Sequence, residues 1–274
     1  THDPGPLFIW VWNMTETLLI KRIEFAAAHR YHNEAWDAAT NRRVFGACNN
    51  EPGHGHNYLL EVTVAGPVDR HTGMVVNLFD LKVVLLDVLE EFDHKHLNID
   101  TPYFTNIIPT TENIATVLWG KLSERPEIGR LERIRLYEED DLWTDVTVEA
   151  HARGRASLTR RYRFPASLPL SANVRTQGQT GHNYALEVTV EGEIHPETGM
   201  VTDIGAVDQV VQELVVRRFA DRNLGQDPAF SSRPLTGETF ARLIWSLLVK
   251  AVPAGRLQNV RLSESDDLMC DYSE

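Results

Sequence analysis

Only two cysteines, Cys48 and Cys270, occur in 274 residues, and they sit in dissimilar contexts. A disulfide framework is therefore excluded as the source of stability, and a reducing cytoplasm is the expected compartment. No apolar run approaches the roughly 20 residues that cross a bilayer. The short run Leu7 to Trp12 lacks a basic leader and does not read as a secretory signal. Basic residues are scarce too: 27 Lys plus Arg stand against 39 Asp plus Glu, a net charge of -12. A nucleic-acid backbone or an anionic membrane as main partner is excluded on that balance, because the summed field repels both. A local basic pocket remains compatible. The composition that is present, 42% hydrophobic and 24% charged, belongs to a globular chain able to bury a core. The first methionine is Met14, so residues 1–13 read as an N-terminal extension outside the fold.

The chain repeats itself. Gly55-His56-Asn57-Tyr58 recurs as Gly181-His182-Asn183-Tyr184, 126 positions later, and Thr72-Gly73-Met74-Val75 recurs as Thr198 to Val201 at the same offset. Trp119 with Trp245, Arg135-Leu136 with Arg261-Leu262, and Glu138 with Glu264 share it. One constant offset at separated places defines two copies of one unit, residues 14–150 and 157–274. The junction His151 to Ser157 reads as a short exposed linker.

Within a copy, Leu18 to Ala28 is β-prone, and residues 54–64 alternate with a period of two, as strands do. Leu78, Leu81, Leu85, Val88, Leu89 and Phe92 recur at helical spacing after Asn77, a good N-cap. Thr110 to Leu122 predicts a second helix, with Glu112 in its first turn complementing the dipole. Leu131 to Tyr137 and Leu142 to Glu149 return to strand composition around Glu139-Asp140-Asp141. The pattern predicts an α+β fold on antiparallel sheet.

His54 and His56, two apart on a strand, project their imidazoles from one face, and the hairpin brings His29 alongside. Three neutral imidazoles with an open fourth position describe a catalytic zinc site. Hydrogen-bonded core histidines are the plainer alternative, and the spacing of two puts the readings level. Cys48, ordinarily a small buried hydrophobe, could beside a cation act as a general base. Asp93-His94 reads either as a proton-relay dyad or as a histidine complementing a helix C-terminus. Glu138 on its own would be a solvated turn residue.

Five segments carry a resemblance: Phe25 to Arg30; Cys48 through His54-Gly55-His56-Asn57-Tyr58; Thr72 to Asn77 with Asp80-Leu81-Lys82; Asp93-His94-Lys95; and Pro109-Thr110-Thr111-Glu112-Asn113-Ile114-Ala115. In order, they closely resemble the 6-pyruvoyltetrahydropterin synthase family, which includes the 6-carboxytetrahydropterin synthases. The resemblance implies the tunnelling fold (T-fold): a four-stranded antiparallel sheet with two helices on one face, units joining edge to edge into a β-barrel. It implies a zinc-dependent lyase acting on 7,8-dihydroneopterin triphosphate, with His29, His54 and His56 as zinc ligands and Cys48 as the base. It further implies Asp93 and His94 as a dyad completing a site at a subunit interface, and Glu138, Thr110 and Thr111 as pterin contacts. Triphosphate would be eliminated without nicotinamide or flavin. The gap from Cys48 to His54 is similar to that of pyruvoyl-forming members; a 6-carboxytetrahydropterin synthase of queuosine biosynthesis, or an inactive pterin-binding relative, is the alternative. Arg30 and Lys95 are candidates for the triphosphate.

At the repeat offset the second copy has lost these groups. Leu168 stands for His29, Thr180 for His54, Val174 for Cys48, and Phe219-Ala220-Asp221 for the dyad, while His182, Thr236 and Glu264 remain. The second copy is expected to be a scaffold without metal, with Cys270 structural. The expected assembly is a homo-oligomer closing its sheet edges, in homotypic rings of first copies, since alternation would set each zinc beside a defective neighbour.

Overall fold

The computed structural model describes residues 16–169, 179–231 and 234–274, with Leu168, Pro169, Gln179 and Thr180 described by their backbone alone. The readings of residues 1–13 and of Val174 lie outside the described residues.

The first copy runs β1 (Thr17–His29), α1 (Ala38–Phe45), β2 (His54–Gly66), α2 (Leu78–Leu89), β3 (Lys95–His96), α3 (Leu97–Asp100), α4 (Thr111–Ser123), β4 (Arg130–Glu139) and β5 (Leu142–Thr147). A short α5 (Val148–Ala152) leads to the second copy: β6 (Arg155–Pro169), β7 (Gln179–Glu193), α6 (Ile204–Val211), α7 (Arg217–Phe219), α8 (Gly237–Leu248), β8 (Arg256–Ser265) and β9 (Leu268–Tyr272). All strands join one sheet in the order β3-β1-β2-β4-β5-β6-β7-β8-β9. Its pairs are antiparallel except for two residues of β3 beside Ala27 and Ala28.

Alternation along the strands builds the core. Phe25, Ala27, Tyr58, Leu60, Val62 and Val64 bury one sheet face against Leu81, Leu85 and Val88 of α2 and Ile114, Leu118 and Leu122 of α4. Each such side chain contributes roughly 1.5–3 kcal/mol of transfer free energy. In the second copy Phe164, Tyr184, Leu186 and Val188 meet Val207, Val211, Phe240 and Ile244 in the same way. The opposite face carries ion pairs across the strands: Arg22–Glu61 at 2.5 Å, Arg135–Asp145 at 2.8 Å and Arg161–Glu187 at 2.7 Å.

Asn77 caps α2 by accepting from the Phe79 N–H at 2.9 Å. The helix ends at Leu89, short of the predicted Phe92: the Phe92 N–H closes a tighter i→i−3 turn on the Leu89 carbonyl at 2.9 Å, and His94 then takes a φ of +57. That turn delivers residues 93–96 to the edge of β1.

Two expectations change. The 151–157 junction is exposed at Ala152, Arg153 and Gly154, but it is ordered as α5 and a turn at Gly154 that feed directly into β6, where Ala156 and Ser157 are buried. Rings of first copies alone are excluded: the edge of β5 that another first copy would need is paired with β6 of the same chain, Trp143 opposite Thr159 and Thr144 opposite Leu158. The implied barrel is not closed within one chain, whose sheet is open at β1/β3 and at β9.

Candidate active site

The hairpin register sets His29 directly opposite His54, with His56 opposite Ala27. Gly53 makes this closure sterically possible. At φ +119 its own Cβ would lie 2.4 Å from the His29 carbonyl oxygen. His96, given no role by the sequence, holds the same turn through Nε2 and the Pro52 carbonyl at 2.8 Å.

The three rings converge, with centroids 4.8 Å (His29–His54), 4.9 Å (His29–His56) and 4.8 Å (His54–His56) apart. One nitrogen from each lies within 4.8 Å of the others. The His29 Nδ1–H donates to the Pro109 carbonyl at 3.0 Å, with the Tyr58 hydroxyl oxygen 2.9 Å from the same nitrogen. That tautomer leaves Nε2 directed at His54 Nε2, 3.3 Å away. Burial, then the neighbouring His56 and His54, lower the His29 pKa to about 3, and burial lowers that of His54. The buried Nε2 of His56 has no hydrogen-bond partner. Clustered neutral imidazoles with an orphaned nitrogen fit a divalent metal ion, and hydrogen-bonded core histidines would not leave that atom unpaired.

Glu138, at the end of β4, is buried beside them. Its carboxylate accepts from the Tyr31 hydroxyl at 3.1 Å and from the Thr111 hydroxyl, and lies 3.6 Å from His56 Nε2. Thr110 caps α4 and donates its hydroxyl to the Gly199 carbonyl at 2.6 Å. Cys48 sits in the turn Gly46–Asn49, pinned by the Tyr31 N–H to its carbonyl at 2.9 Å, and packs with Tyr31, Phe45 and Ile108. Burial and the Glu138 and Glu139 carboxylates push its thiol up to about 11. A cation at the imidazoles acts in the opposite direction.

The dyad is brought elsewhere. Asp93 accepts from the Ala26 N–H at 2.8 Å and pairs with His94 Nδ1 at 2.9 Å; the Ala26 amide is the main cause of its lowered pKa. His94, at φ +57 and exposed, donates its N–H to the Ala26 carbonyl at the open edge of β1. It lines a hollow of about 420 Å³ with His56 and Lys95, on which Cys48 does not border. Arg30 reaches the Asn49 carbonyl at 2.9 Å and Glu51 at 3.0 Å, and lines a cleft of about 630 Å³ with His32 and His96.

Three site residues were missed. Tyr31 gave no sequence signal. Glu112 was read only as a dipole partner, yet it is buried, pushed up to about 7 by desolvation, and accepts the Val201 N–H at 2.9 Å. Met200 packs into the Cys48 cluster. The signal for the last two was the recurring Thr-Gly-Met-Val: its second occurrence is a loop of the second copy docked on the first copy's site.

In the second copy the backbone repeats the hairpin, with Leu168 opposite Thr180 where His29 faces His54. The Asp221 N–H donates to Pro165 as His94 does to Ala26, at the same positive φ, so Ala220 and Asp221 stand where Asp93 and His94 do. The buried Tyr184 hydroxyl, counterpart of Tyr58, has no hydrogen-bond partner among the described residues. The three-imidazole cluster has no second occurrence among the described residues.

The model of the 6-pyruvoyl tetrahydropterin synthase family matches residues 18–149 and again 157–274, so the chain belongs to that family, twice over. Among its relatives, human 6-pyruvoyl tetrahydrobiopterin synthase is 43% identical over 122 residues, 44% of this chain and 84% of the human protein. A putative 6-carboxy-5,6,7,8-tetrahydropterin synthase of Archaeoglobus fulgidus is 36% identical over 109 residues, 37% of this chain and 88% of that protein. The solved Caenorhabditis elegans 6-pyruvoyl tetrahydropterin synthase is 34% identical and covers 49% of this chain and 96% of its own, at a TM-score of 0.47.

Proposed function

We propose that the first copy is a zinc-dependent lyase of the 6-pyruvoyltetrahydropterin synthase type, eliminating triphosphate from 7,8-dihydroneopterin triphosphate. The observation that carries this reading is the convergence of His29, His54 and His56 beside the buried Glu138 carboxylate, whose hydrogen-bond partner Tyr31 packs in the Cys48 cluster. A metal ion held by the three imidazoles would polarise the side-chain oxygens of the substrate and acidify an adjacent C–H. Glu138, already accepting from Tyr31 and Thr111, offers a carboxylate that can take two parallel N–H bonds from a 2-amino-pyrimidinone, which selects a pterin. Cys48 as thiolate takes the proton from the acidified carbon. The electron pair left behind expels triphosphate, and tautomerisation moves the reducing equivalents into the ring without an external oxidant. Asp93 fixes the His94 tautomer for a second proton transfer. Arg30 and Lys95, which line the cleft and the hollow described above, would attract the anionic leaving group. Thr110 acts through the second copy's loop, which its hydroxyl holds.

The second copy, in this reading, is a metal-free scaffold whose loop walls the site. No described helix is long and apolar enough to cross a membrane, and a cytoplasmic location suits the two free cysteines. The archaeal relative keeps 6-carboxytetrahydropterin formation as the second reading. Incubation of zinc-loaded protein with dihydroneopterin triphosphate tests both: triphosphate release with a pyruvoyl product supports the first, a carboxy product with acetaldehyde the second, and no triphosphate release defeats both.

A further inference from the structure

Helix α2 is apolar on both sides. Leu81, Val84, Leu85, Val88 and Leu89 are buried in the core beneath it, while Phe79, Val83 and Leu86 are 71%, 49% and 51% exposed on the opposite side. Spacings of four and three bring these three into one stripe about 10 Å long. A helix that is apolar all round is a helix with both sides covered. We propose that the stripe is the docking site of Leu7–Trp12, the apolar run that precedes β1 in the same chain and lies outside the described residues.

The fold itself does not demand the stripe. At the repeat offset of 126 its positions are taken by Gly205, Gln209 and Gln212, on α6 and the residue after it, and they too are exposed. The two helices start alike, capped by Asn77 and Asp203. An outer side that is polar in one copy and apolar in the other therefore answers to something the first copy has and the second has not. The chain ahead of the first strand differs in the same sense. Glu149 to Gly154, before β6, holds no large apolar residue, whereas Leu7-Phe8-Ile9-Trp10-Val11-Trp12 stands before β1. Stripe and run occur together in the first copy, and the second copy lacks both.

The run is within reach of the stripe. β1 begins at Thr17 opposite Gly66, and Val75 is so close to Gly66 that a Cβ there would lie 3.2 Å from it. Asn77, two residues on, caps α2. Glu16 pairs with Arg130, and the turn Pro126–Ile128 just before Arg130 packs beside α2, with Arg125 paired to Asp87 of that helix. Trp12 is four residues ahead of Glu16 and Leu7 nine, so the run lies within roughly 13–30 Å of extended chain from that point.

Chemistry agrees with this occupant. Residues 4–13 carry no charge, so docking the run on an apolar stripe desolvates no ion. A further chain joined at the free sheet edges would not cover the stripe. The junction between the copies buries Val201 and Thr202 yet leaves Gly205, Gln209 and Gln212 exposed, and a junction of the same kind would leave Phe79, Val83 and Leu86 exposed as well.

The test needs no enzyme activity. With p-benzoylphenylalanine in place of Val83 in the full chain, irradiation should attach position 83 to a peptide containing residues 7–12, in a species that still migrates as a single chain on denaturing gels. Attachment to another chain, or no attachment to residues 7–12, overturns the inference. Chymotrypsin gives a second measurement without an unnatural residue. Cleavage after Phe8, Trp10 and Trp12 should be slow in the unsubstituted protein and about 10-fold faster or more in a Phe79→Gln, Val83→Gln, Leu86→Gln variant of unchanged circular dichroism, because the protease cuts the undocked form. Equal cleavage rates in the two proteins overturn the inference as well.

Discussion

The two copies agree in the middle of their strands and part at the ends. Phe25 stacks on Tyr58 at 5.1 Å and Phe164 on Tyr184 at 5.7 Å, and both pairs lie buried in cores that helices cover. Four residues further along the pairing, the first copy sets His29 opposite His54 and the second has Leu168 opposite Thr180. The tyrosine hydroxyls register the change: that of Tyr58 lies 2.9 Å from His29, whereas that of Tyr184 is buried without a hydrogen-bond partner among the described residues. Fold and chemistry thus draw on different residues of the same strands. A copy freed from chemistry can lose the second set while its helix-facing residues, which carry the burial energy, stay. What the second copy has gained is the docked loop, since Met200 and Val201 touch the first copy's site while Met74 is exposed.

The largest effect should come from removing a ligand on one side only. His56→Ala should abolish metal binding and lower kcat/KM by about 10³-fold or more, as expected when several kcal/mol of charge stabilisation are lost. His182→Ala should leave one metal per chain by elemental analysis. Equal metal loss in both variants would erase the distinction between the copies. Cys48→Ser should keep the metal and cost about 10²–10⁴-fold in rate. Because the base must be deprotonated, kcat/KM should rise with pH along a limb that the serine variant lacks.

The tyrosine pair is a finer probe. Tyr58→Phe should destabilise by about 1–3 kcal/mol and weaken metal affinity about 10–100-fold. Tyr184→Phe should be neutral or stabilising by about 1 kcal/mol, since it removes a buried hydroxyl without a hydrogen-bond partner among the described residues; denaturant midpoints decide. Glu112→Gln has an effect that depends on pH. Burial raises the native carboxyl to about 7, so the native state holds this proton more tightly than the unfolded chain does. The stability this confers is complete below about 4.3 and lost as pH rises through about 7. Glutamine keeps an acceptor for Val201 without the charge. The melting-temperature advantage of E112Q should therefore be near zero at pH 4 and grow to pH 8.

Much of the first copy was legible because its signals are local. Spacing of two placed His54 and His56 on one face, Asn77 marked a helix start, and the hairpin carried His29 to His54. The repeat exposed the losses in the second copy. What was not legible crosses between copies. Thr110 to Gly199 and Glu112 to Val201 each span 89 positions and obey no periodicity. The expectation of homotypic rings failed for the same reason: strand composition shows that β5 has an edge, and nothing local in it says that β6 fills it.

The β5–β6 junction has a further consequence for behaviour on dilution. A site walled by a separate subunit weakens as protein concentration falls, because its wall can diffuse away. Here the wall, Thr198 to Val201, lies on the same chain 51 residues beyond the end of β5, so its local concentration is set by chain length and not by the amount of protein. The Met200 contact with the Cys48 cluster should therefore hold unchanged however far the protein is diluted.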